Sequence, residues 1–403
     1  MSIFSIHSDI VNSYKEYVQS FVNIHDPRIK EIAEETLENG KLWPSPLLQF
    51  NPSYEIRKQT SEIDHAILHD KAKTCFDGFQ LYTHQVEAIE KGSRDQGFIV
   101  TSGTGSGKSL TFFATIFHRY FNQGGHDGVL ALLVYPMNAL VNSQRNEFQE
   151  YSDRYEKITG EKFPIRVGVY TGQETREQKD EIIANPPTIL MTNYVMLEYL
   201  MTRSQERQLK NNILRNLKYV VYDELHTYRG RQGADVGILN RRIDVTSRNE
   251  LIFIGTSATM ASGDEHTLEE EKNLIADVGL KIFGRHFNTD QIIGETLERQ
   301  FDISNYKENR LKEAILRGVD ENDSEESFVN HPVSAWIEDT IGIKIREGIL
   351  VRRKPVTIDE FYNKLASAAN VSVDDAKDFF DAYSNWLNTI NLALQKSDAR
   401  KQL

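Results

Sequence analysis

Residues 98–121 spell out a strand, a glycine-rich turn and a helix in immediate succession. Phe98, Ile99 and Val100 form a short apolar run of the kind a strand buried on both faces shows. Thr101-Ser102-Gly103-Thr104-Gly105-Ser106-Gly107-Lys108-Ser109 follows. Leu110 to Phe121 then carries Phe112, Phe113, Ile116 and Phe117 on a helical pattern. This order points backbone N–H groups at a helix N-terminus, where phosphate oxygens can be held. In such a loop the Lys108 ammonium reaches β/γ-phosphates and the Ser109 hydroxyl holds Mg²⁺. Ser102 stands where the usual G-x-x-x-x-G-K-[ST] pattern opens with glycine. A flexible glycine turn is the other reading of the loop alone, and the flanking strand and helix argue against it.

The alternation continues beyond the loop. Short β-rich runs fall at Phe98–Thr101, Leu130–Tyr135, Arg166–Tyr170, Thr188–Met191, Tyr219–Tyr222 and Leu251–Gly255, with helical stretches between most of them. That pattern predicts an α/β domain over residues 79–262, a mostly parallel sheet covered by helices on both faces. Ligands of such sheets sit at the carboxyl ends of the strands. Residues 1–78 read as an accessory arm, with a helix over Asp26–Glu38 and breaks at Trp43-Pro44-Ser45-Pro46 and Asn51-Pro52. Residues 263–403 read as mainly helical, with caps at Thr267/Glu270, Thr357/Glu360 and Ser372/Asp375. A plain helical bundle is favoured there over a winged-helix-like reader.

Charge and cysteine content narrow the classes. The chain has 403 residues and a formal net charge of −12, so any nucleic-acid contact must be confined to a local cleft. The single cysteine, Cys75, excludes an internal disulfide framework and a Cys₄ zinc site. The run Val129–Tyr135 is too short to span a bilayer, and Met1–His7 lacks the features of a signal peptide. A cytoplasmic protein with no membrane partner is expected.

Three further motifs fall at predicted strand ends or just before the loop. Tyr219-Val-Val-Tyr-Asp223-Glu224-Leu225-His226 ends a strand in two adjacent acids, 115 residues after Lys108. An aspartate there can hold Mg²⁺ and the next glutamate can orient an attacking water. Ser257-Ala258-Thr259 ends another strand with small hydroxyls. Gln85, upstream of the loop, offers an amide donor and acceptor that suit an adenine edge.

In this order the motifs resemble the first RecA-like domain of superfamily 2 helicases of the DExH type. The resemblance implies an ATP-dependent helicase or translocase acting on nucleic acid, DNA in preference to RNA, with ATP and Mg²⁺ as cofactors. It assigns Gln85, Thr104, Gly105, Ser106, Gly107, Lys108 and Ser109 to nucleotide, Ser109 and Asp223 to metal, and Lys108, Asp223, Glu224 and His226 to catalysis. Ser257 and Thr259 would couple hydrolysis to strand movement. Tyr135-Pro136-Met137-Asn138-Ala139-Leu140, Thr171-Gly172 and Met191-Thr192-Asn193-Tyr194 match the family's strand-contact motifs, which assigns Pro136, Asn138, Thr171, Gly172, Thr192 and Asn193 to the nucleic-acid groove. His226-Thr-Tyr-Arg229-Gly230-Arg231-Gln-Gly233 narrows the likeness to MrfA-like helicases and to the large helicases of anti-phage systems such as Druantia and DISARM.

A second RecA-like domain with an arginine-rich final motif has no match after residue 262, and Arg352-Arg353-Lys354 is the only basic cluster there. The expectation is the N-terminal part of a larger defence or repair helicase, completed in cis or by a partner subunit, with other defence-system proteins as further partners. The rival reading is a nucleotide-binding docking or DNA-sensing module without turnover of its own. Arg229 and Arg231 fit either phosphate contacts or surface ion pairs. His65 and His69, four apart beside Asp70, read as a solvated face rather than a metal pair.

Overall fold

The structure, a computed structural model, describes residues 3–21, 24, 26–38, 45–103, 105–258, 266–306, 308–320 and 323–397. The chain divides into two compact units, residues 54–296 and residues 1–53 together with 297–403.

The first unit is built on a seven-stranded sheet. Its strands, in chain order, are β1 (Phe98–Thr101), β2 (Ala131–Tyr135), β3 (Val167–Tyr170), β4 (Ile189–Asn193), β5 (Tyr219–Tyr222), β6 (Ile252–Ser257) and β7 (Ile292–Gly294). Across the sheet they run β7-β1-β6-β5-β2-β4-β3, and every pairing is parallel. Residues β1, β2, β5 and β6 contribute are buried throughout, which explains why their runs are apolar without alternation.

Successive side chains still part to opposite faces. Ala131, Leu133 and Tyr135 of β2 join one apolar cluster, with Phe112, Phe113, Phe117, Phe148 and Tyr151 of the helices Lys108–Asn122 and Asn138–Thr159. Leu132 and Val134 join a second cluster, filled by the helices Tyr194–Thr202, Arg207–Asn216, Gly230–Thr246 and Leu268–Phe283. The sheet is thus a three-layer core, and its strand ends gather the polar motifs along one edge.

The sequence boundaries at 78 and 262 differ from these units. Ile56–Gln59 pairs antiparallel with Gln80–Tyr82, and Ile63, Leu68, Cys75 and Phe76 enter the first apolar cluster, so residues from 54 onward belong with the sheet. At the other end, Leu268–Phe283 packs on the second cluster and β7 adds an edge strand beside β1. A three-residue strand gives no periodic signal, and its place is fixed only by pairing with a partner far back in the chain.

The second unit is largely helical. Its core gathers Trp336, Phe361, Phe379, Phe380, Tyr383 and Trp386. The helix Ile358–Ala369 opens on Thr357, whose hydroxyl accepts from Glu360 N, and Ser372 caps the helix Val373–Ser397 through Asp375 N. Between Pro332–Ile337 and Ile358–Ala369 lies an antiparallel hairpin of Ile343–Arg346 and Ile349–Arg352, within a region the sequence reads as mainly helical. Leu47–Leu48 pairs antiparallel with Val356–Thr357. No described helix is long and apolar enough to cross a membrane.

Candidate active site and adjoining groove

Sheet order sorts the motifs into two neighbouring groups. The glycine-rich loop leaves β1, Ser257 ends β6, and Asp223-Glu224 follow β5; these three strands are adjacent. Pro136, Asn193 and Thr171 leave β2, β4 and β3, the adjacent strands on the other side of β5. Motifs far apart in sequence are therefore side by side on one edge.

The loop is held by its own glycines and by residues beneath it. Gly105 and Gly107 take φ of +77° and +68°, left-handed values that cost other residues about 1–2 kcal/mol. The Ser102 and Ser106 hydroxyls bond at 2.5 Å, and Ser102 N donates to Ser257 O at 3.2 Å. His84, fully buried, donates from Nε2 to Ser106 O at 3.0 Å, and burial pushes its pKa down to about 4. Gln85 donates from Nε2 to the Ser106 and Gly107 carbonyls at 3.2 and 3.1 Å, while its Oε1 accepts from Tyr82 N at 3.0 Å. The amide expected to face adenine is here used on both sides by the protein itself, fastening the loop to the start of the helix Thr83–Ser93. Lys108 Nζ lies 2.9 and 3.0 Å from the carbonyls of Ser102 and Gly103, and Gly103 N donates to the Glu295 carboxylate at 3.0 Å. Thr104 lies outside the described residues.

The acidic pair is organised by a hydroxyl that the sequence reading passed over. Thr256, fully buried, donates to Asp223 Oδ1 and accepts from Glu224 N at 3.4 Å. Burial, the largest influence, raises the Asp223 carboxyl above its usual range, and the Thr256 bond and the Lys108 charge oppose that rise. Glu224 has φ of +54°, which turns its side chain out of the strand line; its Oε2 accepts from Ala258 N at 3.3 Å. His226 Nδ1 lies 3.2 Å from Glu224 Oε2 and 3.1 Å from Ser257 Oγ. A chain of polar contacts thus runs from the Asp223 carboxylate through Thr256 to the Glu224 backbone, and from the Glu224 carboxylate through His226 to Ser257; Thr259 lies outside the described residues.

A second overlooked residue is Glu147, on the helix Asn138–Thr159. Burial raises its carboxyl, opposed by bonds from Tyr151, Ser109 and Gln144. It stands beside the hydroxyl expected to hold metal. Nothing in its local sequence marks it, because its helix approaches Ser109 only in the folded sheet. The hydroxyls of Tyr135 and Tyr228 are buried with no hydrogen-bond partner, both under the influence of Asp223, and Gln144 Oε1 is likewise unpartnered. Buried polar atoms seek partners. The Ser109 hydroxyl and the Asp223 carboxylate are the oxygen ligands that Mg²⁺ takes, so the residues present fit that ion.

The groove motifs form their own network. Asn193 caps the helix Tyr194–Thr202 by accepting from Met196 N at 2.8 Å, and its Nδ2 donates to Asn138 Oδ1 and Thr171 O at 2.9 and 3.2 Å. Thr192 Oγ1 donates to Tyr170 O at 2.6 Å. The N–H groups of Thr171 and Gly172 and the Thr171 hydroxyl all donate to Glu174, at 2.7–3.0 Å. Burial alone would raise the Glu174 carboxyl, but these donors outweigh it and lower its pKa. The donors expected to meet a nucleic-acid phosphate already hold an anion in this structure, and a phosphate would have to exchange with it. Pro136 is half-buried and Met137 beside it is exposed. Arg229 and Arg231 are exposed. His65 Nδ1 bonds Asp70 at 2.7 Å, and among the described residues no group of three or more metal-ligating side chains gathers.

Residues 82–267 match the DEAD/DEAH box helicase family model. This stretch, just under half of the chain, is similar to a DEAD/DEAH box helicase domain. Over 191 residues it is 34% identical to the ATP-dependent helicase MJ1574 of Methanocaldococcus jannaschii, covering 47% of this chain and 27% of that protein. It is 31% identical over 194 residues to the Lhr helicase/uracil glycosylase of Escherichia coli, covering 45% of this chain and 12% of that one. Over 368 residues it is 24% identical to the Druantia protein DruE of Escherichia coli, covering 62% and 20%. Among solved structures, the DUF1998 helicase MrfA bound to DNA aligns with a TM-score of 0.50 and 23% identity over 62% of this chain and 30% of that one, a likeness of fold. The chain spans less than a third of the length of each of these relatives. The matched region opens at Tyr82, the last residue of the short strand that precedes Gln85, and closes at Thr267, the cap of the next helix.

Proposed function

We propose that the chain is an ATP-hydrolysing motor module acting on DNA, within a larger helicase of the defence or repair kind. The observation that carries this reading is that the strands leading to Lys108 and to Asp223-Glu224 flank β6, whose Thr256 bonds the Asp223 carboxylate and the Glu224 backbone N–H. The likeness to DruE supports the defence setting, and the DNA-bound MrfA structure supports DNA.

Lys108 exchanges its loop carbonyls for β/γ-phosphate oxygens, and the loop N–H groups bind the rest of the triphosphate. Mg²⁺ held by Ser109 and Asp223 would neutralise phosphate charge. Glu224 orients and polarises the water that attacks the γ-phosphorus. His226 and Ser257 pass the position of Glu224 to β6, and through the adjacent strands to Asn193 and Asn138 in the groove. A second RecA-like lobe, in cis or from a partner, would close over the site.

Nucleic-acid-stimulated ATP hydrolysis tests the reading in the chain supplied with that lobe. Glu224→Gln retains nucleotide binding and loses about 10²–10⁴-fold in turnover. Lys108→Ala loses nucleotide affinity as well. Unchanged turnover in both variants defeats the assignment. Nucleotide binding without turnover in the unaltered assembly favours a docking or DNA-sensing module instead.

A further inference from the structure

The helices Gly230–Thr246 and Leu268–Phe283 both pack on the second apolar cluster of the sheet unit, yet they do not close fully against the turn Leu225–Thr227 that follows the acidic pair. A cavity of about 660 Å³ is left there. Protein interiors rarely leave voids larger than a water molecule, whereas about 300–1,000 Å³ is the size of a small-molecule site.

The walls are mostly apolar. Leu225, Ile275 and Ile282 are buried, while Ile238 and Leu274 meet solvent, 65% and 46% exposed. The lysine and arginine side chains on the walls are Arg229, Arg241 and Lys281, and no carboxylate lines the cavity among the described residues, in a chain of net charge −12. Arg241 is engaged with backbone: its Nη1 donates to Gly237 O and Lys281 O at 2.8 and 3.2 Å, tying the two helices together. Arg229 and Lys281 are exposed, and among the described residues neither is in an ion pair.

Charge complementarity selects the occupant. A neutral apolar molecule leaves the guanidinium and the ammonium unused, and a bare inorganic anion leaves the apolar walls wet. A compact apolar molecule with one carboxylate or sulfonate uses both. His226 is also a wall residue, and its Nδ1 lies 3.2 Å from Glu224 Oε2 and 3.1 Å from Ser257 Oγ. An occupant therefore touches the side chain that stands between the acidic pair and β6.

We propose that this cavity is a regulatory site for a small amphipathic anion, whose contact with His226 slows ATP turnover. Its binding does not depend on the functional reading; only its effect on turnover rests on that reading.

The test uses the full chain, with the isoleucine δ1-methyl groups labelled with carbon-13, titrated with 2-naphthalenesulfonate. The methyl signals of Ile238, Ile275 and Ile282 shift in one saturable step, and those of Ile6, Ile10 and Ile32, exposed elsewhere, do not. The neutral 2-naphthalenesulfonamide binds at least about threefold more weakly, and Arg229→Gln/Lys281→Gln removes that preference. Both positions are exposed, so the fold is not at stake. The affinity is the same in a Lys108→Ala background. In the chain supplied with the second lobe, saturating sulfonate lowers kcat at least about threefold and leaves the KM for ATP unchanged. No shift of the three methyls, or equal affinity for sulfonate and sulfonamide, overturns the proposal. Shifts of the same methyls on raising the protein concentration alone overturn it in favour of a second copy of the chain. Selective binding that leaves turnover unchanged overturns the regulatory role. Selective binding in an assembly that hydrolyses no ATP sinks the motor reading and leaves the anion site standing.

Discussion

His331 gives the second unit a stability that depends on pH in a calculable way. Its Nδ1 accepts from Val333 N at 3.2 Å at the start of the helix Pro332–Ile337. Its ring stacks on Phe379 with centroids 5.8 Å apart and meets Trp386 edge-on at 5.6 Å. Nδ1 can accept only while it carries no proton, and burial pushes the pKa from 6.5 down to about 4. The unfolded chain therefore takes up the proton first as pH falls. The stability contributed by the neutral ring is complete above about pH 6.5 and is lost as the pH drops toward 4. The whole shift corresponds to about 3 kcal/mol, of which about 2 kcal/mol is lost by pH ~5, where most carboxylates are still ionised. Tryptophan emission during urea unfolding isolates this effect. The two described tryptophans, Trp336 and Trp386, both lie in the core of the unit that holds His331. The urea midpoint by this signal should fall between about pH 7 and about pH 5. His331→Asn keeps a capping acceptor that does not titrate in that range, and should remove most of the fall. An equal fall in the variant refutes the reasoning. His84 shifts in the same direction in the sheet unit, where its bond to Ser106 O leads us to expect weaker nucleotide binding as the pH falls toward 4.

Two further outcomes follow from the site geometry. Thr256→Val preserves shape but removes the hydroxyl shared by Asp223 and Glu224; thermal melting should drop by the equivalent of about 2 kcal/mol, and kcat should fall more than the KM for ATP changes. Gly107→Ala forces a left-handed residue and drives its Cβ into the Gln85 amide nitrogen; a fluorescent ATP analogue should bind at least about tenfold more weakly while the far-ultraviolet circular dichroism stays native.

The glycine-rich loop, the acidic strand end and the caps at Thr267, Thr357 and Ser372 were legible because each is a local arrangement. Apolar runs, positive-φ glycines and caps need only neighbouring residues. Of the six strands read from the sequence, Phe98–Thr101 and Tyr219–Tyr222 recur with the same bounds and the other four recur with ends moved by one or two residues. β7 was not legible, nor were Thr256, Glu147, Glu174 and Glu295 as members of the site. Each acts on a group supplied by a distant segment or, for Thr256 and Glu174, through side-chain geometry that no motif encodes. Gln85 was legible as a functional position, but the direction of its amide was not. That direction depends on where the Ser106 and Gly107 carbonyls lie.

By itself the sequence determined that this chain forms a phosphate-cradling loop on a parallel sheet, since glycine conformational freedom and burial of apolar strands are properties of short segments. The tertiary structure decided the order β7-β1-β6-β5-β2-β4-β3, and with it which strand ends meet. Strand order is set by packing between residues far apart in the chain. That is why the placing of the glycine-rich loop and Asp223 at the ends of strands that flank β6, and the capture of the Thr171–Gly172 donors by Glu174, could be observed only in the folded molecule.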